Sequence, residues 1–375
     1  MSKAGLYFHI PFCLRKCAYC DFCSFTGKTD EDMRRYTDAL IREMEAYADA
    51  ARGMTFDTLF FGGGTPSLLP ADAVSRILGA AVRLFSIEKD AEITLEANPA
   101  TADKAKLAAL RSLGINRLSM GVQSLDDREL TLLGRLHNAR EALTFFSDAR
   151  EAGFDNINVD LMYGIPEQTV ASAEKTLRTV LSLSPEHISA YSLMLEEGTP
   201  LYDKRSVLSF PDEEGENAID GHIRAILGEH GYLHYEISNY AKEGYASRHN
   251  LHYWHSDSYL GFGVAAYSFF GGARYGNETD FAAYLADPES ITGAREVLTQ
   301  EDLAYEFIML RFRLAEGLSL SEYKSRFGKD FKETFSEPVT RFTAMGLMAE
   351  KEDRIFLTEQ GFRVSNSILL EFMSD

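Results

Sequence analysis

HIPFCLRKCAYCDFCSF, residues 9–25, holds all four cysteines of this chain of 375 residues: Cys13, Cys17, Cys20 and Cys23. Thiols this crowded act either as a disulfide staple or as a site that binds metal or does chemistry. Residues outside the cluster bear on the choice. MSKAGLYFHI, residues 1–10, lacks the basic region and long apolar stretch of a secretory leader, and no run approaches the ~20 apolar residues of a membrane span. The expectation is a cytoplasmic protein with no stable membrane insertion, in a compartment where disulfides are rare. C-x3-C and C-x2-C both fall within zinc-ligand spacing, although zinc sites usually draw their second ligand pair from a distant segment. One tight cysteine-rich loop suits an iron–sulfur cluster better. Spacing alone favours the cluster and leaves structural zinc as the rival.

Composition narrows the partners. A formal charge of −19 opposes attraction to phosphate backbones or anionic lipid, which points to small molecules or proteins and away from nucleic acid. An apolar fraction of 45% over this length supports one large domain with a smaller one.

Downstream of the cysteines, β-rich runs alternate with stretches of helical period as far as residue 195. The strand expectations are 5–10, 58–64, 91–97, 117–123, 156–164 and 187–194, with helices near 32–50, 71–86, 102–113, 127–152 and 168–183. Such a series builds a parallel sheet under helices. Pattern alone leaves a doubly wound sheet and a partial barrel as rivals, and both place their sites at the carboxyl ends of strands. Gly62 to Thr65, Glu96, Asn98, Gln123 and Asp160 gather there. Beyond residue 200 an acid-capped helix gives way to an aromatic and glycine-rich stretch with little period. The tail reads as three helices and a hairpin, a winged-helix-like module. Residues 297–375 carry ten Lys and Arg against fourteen Asp and Glu, so that module is a poor match for DNA. The expected divisions are 1–235, a connecting segment 236–297, and 298–375.

Cys13-x3-Cys17-x2-Cys20 resembles the signature of the radical S-adenosylmethionine (SAM) superfamily, and the framing HIPFC…CYCDF is similar to its coproporphyrinogen-dehydrogenase-like branch. The resemblance implies an α/β fold, an open six-stranded partial (β/α) barrel with a small, mostly helical winged-helix-like C-terminal domain. It also implies a [4Fe–4S] cluster on Cys13, Cys17 and Cys20, with one iron left open for the amino and carboxylate groups of SAM, and an electron donor for the cluster. Further segments match in order. Tyr7 precedes the loop. Gly63, Gly64 and Thr65 in TLFFGGGTPSLL correspond to the glycine motif, Glu96 in ITLEANP to the acidic residue that holds SAM, and Gln123, Arg135 and Asp160 to other pocket positions.

Within this branch two functions compete: oxygen-independent coproporphyrinogen III dehydrogenase, which decarboxylates propionates to vinyls, and a heme chaperone that carries heme to acceptor proteins. The enzyme pattern has a fourth cysteine where this chain has Phe22, and it has a longer leader before the loop than the twelve residues here. RHNLHYW contains His249-Asn250-x-x-Tyr253, an HNxxY motif associated with the chaperones. The expectation is therefore a chaperone with heme as cargo and no catalytic residue assigned, with Phe22 at the cofactor pocket, His249 as a heme contact, and Cys23 outside the cluster. His252 and His255 are expected to hydrogen-bond within a loop. The aromatics between residues 253 and 270 suit either a porphyrin wall or a packed core.

Overall fold

In the computed structural model, which describes residues 3–290, 293 and 295–373, the chain forms the expected partial barrel. Six strands, β1 (Lys3–Ile10), β2 (Thr55–Gly63), β3 (Ser86–Ala97), β4 (Arg117–Gln123), β5 (Ile157–Tyr163) and β6 (His187–Ser192), pair in parallel and in sequence order. Alternation along each strand sorts the side chains. Leu6, Phe8 and Ile10 join the core beneath the helices, while Tyr7 and His9 lie on the opposite face of β1. The helices start where capping chemistry places them: Thr29 with Asp32 opens Asp30–Tyr47, and Thr169 with Ser172 opens Val170–Ser182, each by a reciprocal side-chain cap.

One helix differs from expectation in a way that matters for the site. The run 127–152 is broken into Asp127–Leu132 and Ala139–Glu151. Gly134 takes φ 72°, and Asn138 with Glu141 caps a new start, so Arg135 sits in a turn.

Residues 236–297, read above as an aromatic and glycine-rich connecting segment with little period, carry short strands. β7 (Leu233–Glu236) and β8 (Asn239–Ala241) extend the sheet antiparallel beyond β6. β9 (Tyr259–Phe262) pairs parallel to β1, and β10 (Tyr267–Phe270), β11 (Ala273–Gly276) and β12 (Arg295–Val297) continue that flank. The order is β12-β11-β10-β9-β1-β2-β3-β4-β5-β6-β8-β7. These flanking strands have four residues or fewer, and glycines at 261, 263, 271 and 272 interrupt them, which leaves too short a period to read.

The C-terminal module has its own core, including Phe307, Phe312, Phe331 and Phe372, and a small sheet of β13 (Leu318–Ser319), β14 (Met348–Lys351) and β15 (Arg354–Leu357). Its first helix, Gln300–Arg311, bridges the two flanks of the open barrel. Glu306 pairs with Arg274 of β11, and just beyond the helix the Ala315 N–H donates to Tyr235 O of β7 at 2.9 Å. Among the described residues no helix is long and apolar enough to cross a membrane.

Candidate functional site

The carboxyl ends of β2 to β6 and the cysteine loop enclose one cleft of about 660 Å3. Cys13, Cys17 and Cys20 line it together with Phe22, Gly63, Gly64, Thr65, Glu96, Gln123, Arg135 and Asp160. Tyr7 and His249 are not on its wall, and neither is Cys23.

The loop is held by its neighbours. Cys13 N–H donates to Phe25 O at 3.0 Å, Ala18 N–H to Leu133 O at 2.9 Å, and the Arg15 guanidinium to the carbonyls of Gly134 and Arg135. Cys13 Sγ lies 3.6 Å from Thr65 Oγ1, which accepts from Asn98 Nδ2 at 2.9 Å. Arg135 Nη1 donates to Cys17 Sγ at 3.3 Å, while its Nη2 reaches Asn98 Oδ1 and Gly121 O. The buried guanidinium thereby fixes the position of the Cys17 sulfur on the cleft wall. Cys23 Sγ instead faces Thr279 O at 3.9 Å, and burial pushes its thiol up. All four cysteines are free.

Among the described residues no group of three His, Cys, Asp or Glu side chains converges on a point that would hold a single ion. Three thiols on one concave wall suit a larger inorganic ligand in which each thiolate would take a different metal atom. The donor set therefore fits a [4Fe–4S] cluster better than mononuclear zinc.

The glycines do a job the sequence did not show. Gly63 has φ 109°, and a Cβ there would meet the His9 ring at 2.5 Å; one on Gly64 would sit 2.8 Å from Phe12 O. Both let the end of β2 pack against Ile10–Phe12, the chain that leads into the cysteine loop, and the Gly64 N–H donates to Ile10 O at 2.9 Å. The Gly63 N–H donates to Glu96 Oε2 at 3.1 Å. Burial, then the nearby Asp160 carboxylate, pushes Glu96 up to about 8. Asp160 is likewise raised by burial, and it accepts from Asn158 Nδ2 at 2.7 Å. Two buried carboxylates facing one cleft are poised for a ligand that brings positive charge or hydroxyl donors. Gln123 is at a register shift with φ 68°, and the Tyr191 hydroxyl fixes its side chain by donating to Oε1 at 2.6 Å.

Tyr19, Ser119, Tyr191 and Asn239 also line the cleft, and sequence reasoning passed over them. Two carried a signal: Ser119 and Tyr191 fall on strands already read.

His249 is placed elsewhere. The helix Arg248–Trp254 lies against the amino-terminal halves of β1 to β3, with the Arg248 and His249 N–H groups both donating to Glu92 at 3.1 Å. The His249 ring is 1% exposed and stacked 5.0 Å from Phe60, with Nδ1 2.8 Å from Thr58 Oγ1 and Nε2 2.8 Å from Tyr253 OH. Burial lowers it to about 3. With both nitrogens occupied, this histidine packs among Thr58, Phe60 and Tyr253 and is not on the cleft wall. His252 and His255 bond to Asp57 and Glu316.

Known proteins share this architecture. The radical SAM superfamily model matches residues 7–180 and the HemN C-terminal domain model residues 298–364. The heme chaperone HemW of Bacillus subtilis strain 168 is 34% identical over 98% of this chain and 99% of its own. The one from Escherichia coli K12 is 34% identical over 100% and 99%. Among solved structures, coproporphyrinogen III oxidase (HemN) from Escherichia coli, a radical SAM enzyme, superposes with a TM-score of 0.87 at 25% identity over 99% of this chain and 90% of its own. A three-thiol loop on an open six-stranded barrel, matched end to end by those chaperones, has one reading: the chain belongs to the HemW heme chaperone family of the radical SAM superfamily.

Proposed function

We propose that this protein is a heme chaperone: it binds heme as cargo and passes it to acceptor proteins. Cys13, Cys17 and Cys20 would hold a [4Fe–4S] cluster, and Glu96, Gln123, Arg135 and Asp160 would seat SAM beside it. The observation that carries the reading is full-length likeness to the heme chaperones combined with Phe22 at the cleft. A phenyl ring there offers neither a thiol nor a proton to a porphyrinogen propionate. The cluster supplies redox chemistry when bound, and the protein's part is to hold it and its cofactor in fixed relation. Arg135 orients the Cys17 sulfur, and Gly63 and Glu96 shape the wall. Such a cluster calls for an electron donor among the partners. The free cysteines fit a reducing, cytoplasmic setting.

The fold likeness to HemN makes the dehydrogenase the reading to beat. Anaerobically reconstituted protein is given coproporphyrinogen III with SAM and a reductant, and separately titrated with hemin and a heme-free acceptor. The chaperone reading expects one heme per chain, its transfer to the acceptor, and no protoporphyrinogen. Catalytic formation of protoporphyrinogen overturns it.

A further inference from the structure

Two large apolar side chains on different elements stand exposed around the cleft. Phe22 on the cysteine loop is 68% exposed, and Met194, two residues beyond β6, is 71% exposed; both line the cleft. Leaving such side chains in water at a ligand site is a cost with no structural return, since neither supports the core.

The cleft itself is the size of a single drug-sized ligand site, and a cluster with SAM fills it. A porphyrin must then rest across the mouth. Among the lining residues there is no histidine, and three of the cysteines are committed to the cluster. Of the two tyrosines on the wall, Tyr191 spends its hydroxyl on Gln123 and Tyr19 packs against the cluster of Leu133 and Ile165, so two thioethers remain. Met162 is buried and packs with Leu133, Ile165, Leu193 and Leu201, whereas Met194 is free. Thioether sulfur is an established axial ligand for heme iron. A neutral thioether holds iron less firmly than a thiolate, which suits a cargo that must be released. The charges at the mouth are mixed: Arg15, Lys16, Asp21 and Glu196. Arg15 is spent on two carbonyls, whereas Lys16 is exposed and has no ion-pair partner among the described residues. It is the free cation available to a propionate.

Resting on the chaperone reading, we propose that heme lies over the cleft mouth against Phe22, with Met194 Sδ as an axial ligand of its iron and Lys16 pairing with a propionate. One face of the macrocycle then stays open to the acceptor, which takes the iron by displacing the thioether.

Cluster-reconstituted protein titrated anaerobically with dithionite-reduced hemin tests this by absorption spectroscopy. The expected result is one heme per chain, an affinity at least tenfold lower with a changed Soret band in Met194→Ala, and a weaker loss in Phe22→Ser. Met194→His should restore tight binding with a different spectrum, because imidazole replaces the thioether. If the unmodified protein binds heme and Met194→Ala matches it in affinity and spectrum, the placement is wrong while the chaperone reading stands. Loss of heme in His249→Asn with none in Met194→Ala also overturns the placement. Failure of the unmodified protein to bind heme removes the chaperone reading and this inference with it.

Discussion

The helix carrying the HNxxY motif is clamped in a way that titration can test. His252 is nearly buried, with Nε2 2.7 Å from Asp57 Oδ1 and Nδ1 3.1 Å from Asp257 Oδ2. Burial alone would lower the imidazole, but the bonds to Asp257 and Asp57 outweigh it and raise His252 to about 9. Burial alone would likewise raise Asp57, and His252 with Arg248 instead holds it near 2. Lys3, Glu88 and Arg248 complete the charges around the pair. The imidazole's ordinary value is 6.5, so its folded value is raised by about 2.5 pH units, worth about 3 kcal/mol at ~1.4 kcal/mol per unit. Because the folded value is the higher one, the contribution is full below pH 6.5 and disappears as pH climbs through 9. Buried carboxylates such as Glu43, raised by burial to about 7, also weaken the fold with rising pH, so the measurement must be a difference. Denaturant unfolding of the wild type and His252→Gln at pH 6 and pH 9.5 provides it. The stability gap between the two should narrow by about 3 kcal/mol across that interval. A gap that stays constant would refute the clamp and with it the argument that His249 is fixed beneath the barrel.

Other outcomes follow from the cleft. Cys23→Ala should keep iron and sulfide near the unmodified content, while Cys17→Ala removes most of both; equal losses by elemental analysis would sink the three-ligand assignment. With Glu96 raised to about 8 by burial, SAM binding that needs the carboxylate should strengthen with pH, about tenfold per unit below 8 and level above it. Equilibrium dialysis should show that slope in the wild type and a flat profile in Glu96→Gln. Gly64→Ala forces a Cβ against the Phe12 backbone, where no side chain can yield, and should cost on the order of 1–3 kcal/mol of stability along with cluster content after reconstitution, read by thermal unfolding and iron assay.

How much of this was legible depends on range. The four cysteines sit within eleven residues, and Glu96 and Gln123 end strands whose composition marks them as strands, so local pattern reached them, while the choice of Cys13, Cys17 and Cys20 came from the family resemblance. Arg135 was matched by motif, yet its placement rests on a break at Gly134 that helical period ran straight through, because the apolar spacing of 127–152 continues across the turn. The flanking strands after residue 236 owe their existence to partners far away in sequence: β9 forms because β1 has a free edge, 254 residues upstream, for Tyr259–Phe262 to pair with, and nothing within four residues can announce that. His249 makes the same point for the site. Its motif marks it as special, and it is special, but the tertiary fold turns its ring toward Thr58, Phe60 and Tyr253 beneath the barrel. Met194 had no motif to announce it, and only the fold shows it exposed beside the cysteine loop. A motif therefore names the residues that a family depends on without saying whether the dependence is contact with a ligand or support from below. For the cargo site proposed on the rim of the cleft, exposure and available ligand atoms decide that question, and they favour Met194 over His249.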